Sequence, residues 1–270
     1  MEMLEPIALP EMTIAKEGPC WFCTEKQESG PNNKEDESPA SPEGKVAGPE
    51  NSETNDSSEL GKALGSRPKW TIKHKVDPKD PIDAGDKTEI VPAAHHLLPG
   101  GASVNKAALL HKYMLWKGKN PLGLSGPIGY DINSEANGVW LPGNYAVREG
   151  TDFKKNWGKF QEEFKTAYAK AAMKNASSLQ LHDAHPEYNK NVLKTLQDTA
   201  TLLDSLWVDR SKCPICKKKL KNQNRPPYGL VGRLNRLSAE HQKPLEYPEN
   251  NRKAIRNGYI TSSRVTDVYG

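Results

Sequence analysis

Between residues 24 and 66, this chain of 270 residues offers almost no aliphatic side chains. Ser, Pro, Gly, Asn and acidic residues fill the stretch instead. Ordering a backbone costs about 1–2 kcal/mol per residue, and a segment without apolar area to bury cannot offset that cost. Residues 24–66 therefore read as a disordered acidic linker, and the linker dictates the organisation of the rest. Ahead of it stands a short head, residues 1–23, which ends in Cys20 and Cys23. Behind it, Trp70-Thr71-Ile72-Lys73-His74-Lys75-Val76 alternates with period two and marks the return of order as a strand. The core has to come from residues 67 onward. Only 35% of the chain is hydrophobic, and the mean hydropathy is −0.78.

Charge is divided in the same way. The net charge is +4, but residues 24–60 carry three Lys against ten Asp or Glu, leaving +11 for the remainder. Residues 210–256 hold thirteen Lys or Arg against three Glu. A basic surface of that kind fits a polyanionic partner; the competing reading is a solvated, weakly ordered tail. No stretch approaches the roughly 18 apolar residues of a membrane helix, so no membrane insertion is expected. Met1-Glu2-Met3-Leu4-Glu5-Pro6 lacks the basic start and apolar centre of a secretory signal, so any export would use another route.

Local patterns predict further elements. Thr88-Glu89-Ile90-Val91 reads as extended. Ser103 suits an N-cap for a helix over about 104–117, with Ala107, Leu110, Tyr113 and Met114 on one side. Val139-Trp140-Leu141 reads as a short strand that Pro142 stops. Thr151 and Asp152 can cap a helix reaching Asn175, along which Phe153, Trp157, Phe160, Phe164 and Tyr168 form an apolar stripe that reads as core. Pro186 suits the first position of another helix, carrying Tyr188, Val192, Leu196, Leu203 and Leu206 to about Trp207. Beyond Cys216 the sequence is weakly patterned to Gly270.

The chemistry concentrates in the histidines. Ala94-His95-His96 is followed by Leu97-Leu98-Pro99, Asn137-Gly138 precedes the strand at 139–141, and His182 and His185 precede the helix at Pro186. Phosphodiester hydrolysis needs charge neutralisation on the phosphate and a base for the attacking water. A neutral imidazole suits the base, because its pKa lies near working pH. One histidine at a strand end and one or two near a helix start can meet at one ion, leaving the adjacent ring to take a proton. Asn137 between them can fix the base, although Asn-Gly is also a strong turn former.

Four cysteines stand as two CxxC pairs, Cys20/Cys23 and Cys213/Cys216. Two such pairs can complete a tetrahedral zinc site. Shared, the ion would tie the head to the C-terminal region as a structural staple.

The string Ala94-His95-His96, the segment Asp131-Ile132-Asn133 to Asn137-Gly138-Val139-Trp140-Leu141-Pro142, and His182-x-x-His185-Pro186-x-Tyr188-Asn189 together resemble the AHH family. That family belongs to the HNH/endonuclease VII superfamily, typically toxin domains of bacterial polymorphic effectors. The resemblance spans about residues 88–205. It implies an α+β fold with a small ββα-metal core and added helices, placing an HNH-like nuclease domain at 67–208 and a basic C-terminal region with CxxC at 209–270. It implies His95 as metal ligand, His96 as general base and Asn137 as the residue that orients the base or supports its loop. His185, and less surely His182, would serve the same ion, and spacing does not say which touches it.

A metal-dependent endonuclease toxin follows as the expected function. It would hydrolyse DNA rather than RNA, with little sequence specificity, using one divalent ion (Mg2+ or a transition metal) and a structural Zn2+. The implied partners are nucleic acid, a cognate immunity protein and a component of a secretion apparatus. Delivery would be contact-dependent or type VI, without a signal peptide, and action would be in the target-cell cytoplasm. The competing function is a non-catalytic, zinc-stabilised nucleic-acid-binding module that uses its histidines structurally.

Overall fold

A computed structural model describes residues 56–72, 88–114, 122–124, 127–143, 157, 160–207, 209, 211–213, 215–219 and 226–270. The head with Cys20 and Cys23 lies outside the described residues, as do Lys73–Val76 of the first predicted strand and Thr151, Asp152 and Phe153 of the predicted third helix. The class is α+β: short two-stranded sheets packed by helices.

The first described element lies inside the predicted linker. Helix α1 (Ser57–Ala63) is capped by Asp56, whose Oδ1 accepts from Ser58 N at 2.9 Å and Glu59 N at 3.1 Å. The cap satisfies amides that have no partner inside the helix. Its one large aliphatic, Leu60, is completely buried. Linker character therefore stops before residue 56, because Leu60, with Leu64 at the helix end, docks these two turns.

Two antiparallel pairs follow. β1 (Trp70–Ile72) pairs with β2 (Thr88–Ile90). β3 (Pro92–His96) pairs with β4 (Gly138–Pro142) in the register Ala94 to Trp140, His95 to Val139 and His96 to Gly138. Leu60 of α1 sits over Gly138, where a Cβ would lie 2.6 Å from the leucine Cδ1. Any larger residue at that crossing would force Leu60 to shift.

Between β3 and β4 the predicted helix is broken. A 3-10 turn over Val104–Lys106 precedes α2 (Ala108–Met114), and Ser103 makes no side-chain capping bond. Its hydroxyl instead donates to Asn189 O at 2.9 Å. The third predicted helix also starts later than its stripe suggested. Helix α3 is Glu162–Asn175, and Trp157 and Phe160 precede it while packing on the same cluster. Pro186 does open α4 (Pro186–Leu206), which buries Tyr188, Val192, Leu196, Ala200 and Leu203.

The largest departure is C-terminal. Residues 229–246 form helix α5 (Gly229–Glu246), which buries Leu230, Leu234, Leu237 and Leu245. These leucines share one cluster with Leu97, Leu98, Val139 and the buried face of α4. Each fully buried side chain of this type contributes about 1.5–3 kcal/mol. The region is thus neither a tail nor a separate unit. Gln180, completely buried, stitches it to the segment before His182. Its Nε2 donates to Pro244 O (2.8 Å) and Tyr259 O (3.0 Å), and its Oε1 accepts from Thr261 N (2.9 Å). The chain finishes with α6 (Arg252–Arg256) and α7 (Thr266–Tyr269). Ile255, Val265 and Tyr269 close a second cluster around Phe164, Tyr168, Ile72 and Ile90. Among the described residues, no helix is long and apolar enough to cross a membrane.

Candidate metal centre and adjoining base

Adjacent residues on a strand point to opposite sides, so the end of β3 sends its two imidazoles apart. Both are buried, His95 at 2% exposure and His96 at 4%. His95 meets the start of α4: its ring centroid lies 5.1 Å from His182, 4.9 Å from His185 and 5.1 Å from Tyr188. His182 is held there by its own backbone, whose N–H donates to Pro142 O at the end of β4 (2.8 Å). His185 is the N-cap residue of α4. The Tyr188 hydroxyl donates to Leu97 O at 2.8 Å, pinning the helix to the residue after the histidine pair.

Ligand atoms of His95, His182 and His185 all lie within 4.8 Å of one another. The sequence left open which of His182 and His185 belongs to the cluster; the structure brings both to His95. Nε2 of His95 and Nδ1 of His182 are buried without a hydrogen-bond partner, a costly state that a bound cation would relieve. The His185 Nδ1–H donates to Asn189 Oδ1 at 3.1 Å, which leaves Nε2 as the lone-pair nitrogen. A ligating histidine with its other nitrogen held by an oxygen is a recurrent metal-site arrangement.

Electrostatics keeps these rings neutral, as ligation requires. Burial holds His95 well below the usual imidazole range, reinforced by repulsion from His182, His185 and His96. Burial, with repulsion from His185 and His96, pushes His182 down to about 3. Burial also lowers His185, opposed by its bond to Asn189. These residues can hold a divalent cation.

His96 faces a different neighbourhood. Its Nε2–H donates to Asn133 Oδ1 at 2.8 Å, leaving Nδ1 as the acceptor. Asn133 is itself braced, its backbone N–H donating to Asp131 Oδ1 at 2.9 Å. Burial lowers the basicity of His96, while Asn133, Asp56 and Asp131 pull it back. Asn133 is a candidate site residue that the sequence reading did not single out. The signal was present as a second asparagine four positions before Asn137, but nothing in the sequence says which amide reaches the ring.

Asn137 does not orient the base; it supports the loop. It is completely buried. Its Oδ1 accepts from Leu98 N (2.8 Å) and from the hydroxyl of Ser238 on α5 (3.0 Å). Its Nδ2 donates to Ile132 O (2.8 Å) and Leu98 O (3.2 Å). With its amide so occupied, it has no capacity left for an imidazole. Gly138 is extended, so the Asn-Gly pair is not a hairpin turn.

The second cysteine pair sits in a tight turn. Cys213 is buried and Cys216 half-buried. Cys213 N donates to Lys218 O (2.8 Å), Lys217 N donates to Cys213 O (3.0 Å), and Lys217 takes φ +60°.

Neither a curated protein nor a solved structure gives a match to this chain. The histidine centre, the ladder of β3 and β4, and the start of α4 all fall within residues 83–213, which match AHH, a nuclease family of the HNH/ENDO VII superfamily with a conserved Ala-His-His.

Proposed function

We propose that the protein is a metal-dependent endonuclease toxin whose substrate is DNA, cut with little sequence preference. The observation that carries the reading is a three-imidazole cluster on one side of β3 with a buried, amide-held imidazole on the other. Metal binding and proton abstraction are thereby assigned to neighbouring residues.

His95, His182 and His185 would hold the cation. An all-imidazole set favours a transition ion over Mg2+, which prefers oxygen ligands. The ion, when bound, supplies positive charge to the phosphate and to the departing oxygen. His96 takes a proton from water at Nδ1, and the water oxygen attacks phosphorus as the bond to the 3′-oxygen breaks. Asn133 holds the His96 ring so that Nδ1 stays unprotonated. The N-terminus of α4, at His185 and Pro186, favours the approach of an anionic phosphate. Lys and Arg around 210–256 would contact the backbone without reading bases.

Cys213 and Cys216, together with Cys20 and Cys23, would hold a structural zinc. The tight turn around Cys213 supports half of that site. Delivery through a contact-dependent or type VI apparatus, action in the target-cell cytoplasm and an acidic immunity protein follow from the resemblance to polymorphic toxins. The test is incubation of the purified chain with supercoiled plasmid and with total RNA, with and without chelator. Cleavage of plasmid that chelator abolishes supports the reading. Intact plasmid at every metal tested refutes it.

A further inference from the structure

A cleft of about 750 Å³ opens beside the histidine centre, and His182 is among its lining side chains. That volume lies in the range of pockets that enclose small organic ligands. Its walls come from α1 and the turn after it on one side, and from β3 with Trp140 of β4 on the other. The cleft exists because the wall residues are small: Ser58 and Gly61 on the helix, Ala93 and Ala94 on the strand. Gly61 is close to the indole, where an added Cβ would lie 3.2 Å from Trp140 Cη2. A larger residue there would drive the ring into the space.

The lining chemistry is uneven. Trp140 is half-buried, its indole Nε1 fully so, and stands opposite Ala94 in the ladder. Lys62 and Arg67 are its cations, and no acidic side chain lines it among the described residues. Arg67 spends one donor, Nη2, on Pro92 O at 2.9 Å. Lys62 pairs with Glu59 at 2.7 Å, but at 71% side-chain exposure that pair is weakly held and a phosphate can replace it. An aromatic face flanked by cations, next to a hydrolytic centre, is the arrangement that accepts nucleobases with their phosphates.

We propose that this cleft takes an unpaired nucleotide of the substrate strand, its base against Trp140 and its phosphate against Lys62 and Arg67. The inference rests on the nuclease reading and specifies its substrate: nucleic acid whose bases are unpaired beside the cut. A base inside an intact duplex is stacked on both faces and does not reach a recessed indole unless it is extruded. Lys62 and Arg67 precede the family-matched residues 83–213, so this wall is contributed by sequence outside the family domain.

The test measures binding separately from cleavage. A fluorescently labelled phosphorothioate oligothymidine, whose links resist hydrolysis, is titrated by anisotropy, single-stranded and paired to its complement. Trp140→Leu keeps an apolar side chain but removes the stacking face. It should weaken single-strand binding roughly five- to hundredfold and leave duplex binding unchanged. Lys62→Ala should lower the slope of log K against log salt for the single strand by about 0.7, the loss of one phosphate contact. Lys170→Ala, exposed on α3 and outside the cleft, should leave preference for the single strand as in the native chain. Single-strand binding unchanged in Trp140→Leu, or single strand and duplex weakened equally, overturns the proposal. Should Trp140→Leu fail to fold, Lys62→Ala on the exposed helix surface decides alone, and an unchanged slope overturns it. Cleavage by the native chain of supercoiled plasmid and of an unmodified single-stranded oligonucleotide is a separate readout. Selective single-strand binding without cleavage defeats the nuclease reading and leaves the cleft's ligand standing, whereas cleavage with an indifferent Trp140 does the reverse.

Discussion

Replacing Asn133 with alanine removes the oxygen that accepts from His96 Nε2 at 2.8 Å. The ring is only 4% exposed, so water replaces that oxygen poorly. A buried donor left without a partner costs about 1–3 kcal/mol. The cost falls on the tautomer that leaves Nδ1 free, and at 1.36 kcal/mol per tenfold it depletes that form roughly five- to 150-fold. The expected result is a fall in kcat of about 10- to 100-fold with KM nearly unchanged, measured by single-turnover plasmid nicking. Asn133→Asp adds a second readout. The base must be neutral, so activity is present above the His96 pKa and lost as pH falls through it. In the native protein burial sets that limb below 6.5; a carboxylate at 133 stabilises the imidazolium and should move it upward. A native kcat in Asn133→Ala, with the acid limb unmoved in Asn133→Asp, refutes the assignment of His96 and Asn133.

Asn137→Ala should behave in the opposite way. It strands Leu98, Ile132 and Ser238 polar groups in the interior, so chemical denaturation should register a loss above about 3 kcal/mol. Gly138→Ala should cost about 1–3 kcal/mol through the clash with Leu60, and a neutral effect would mean that α1 is not docked on β4. A divalent transition ion at a hundredfold excess over its Kd should stabilise the native chain by about 2.7 kcal/mol, and His182→Ala should abolish the part of the Tm rise due to this centre. Without metal, stability should decline as pH falls below 6.5. The unfolded chain takes up protons there, while the buried rings resist protonation down to about 4 at His241 and about 3 at His182. A Tm independent of pH between 6.5 and 4 contradicts that burial.

The histidine centre was legible because its parts lie at element boundaries that sequence marks well. Pro186 fixes where α4 begins, and the apolar spacing from Tyr188 to Leu203 fixes which side it buries. The short strands around His95 and Val139 follow from their bounding prolines. Helix α5 was harder to read. Its buried side mixes Leu230, Leu234 and Leu237 with Ser238 and His241, and Pro244 sits in its last turn. Polar residues on the buried side dilute a hydrophobic period, and abundant lysine and arginine nearby marked the region as a basic surface for a polyanion rather than as core. Leu60 was missed for a related reason: its burial depends on a glycine 78 positions later, which no local window contains.

The bond from Ser238 to Asn137 and the anchoring of Gln180 on Pro244, Tyr259 and Thr261 bear on how this chain can be cut or recombined. A fragment trimmed at residue 213 would strip the cover from α4 and leave greasy surface open to self-association. Its failure to cut would then say nothing about the histidines. Shuffling between related chains should accordingly exchange everything from α1 through Gly270 as one piece, since a junction drawn at the limits of the family match would divide both apolar clusters.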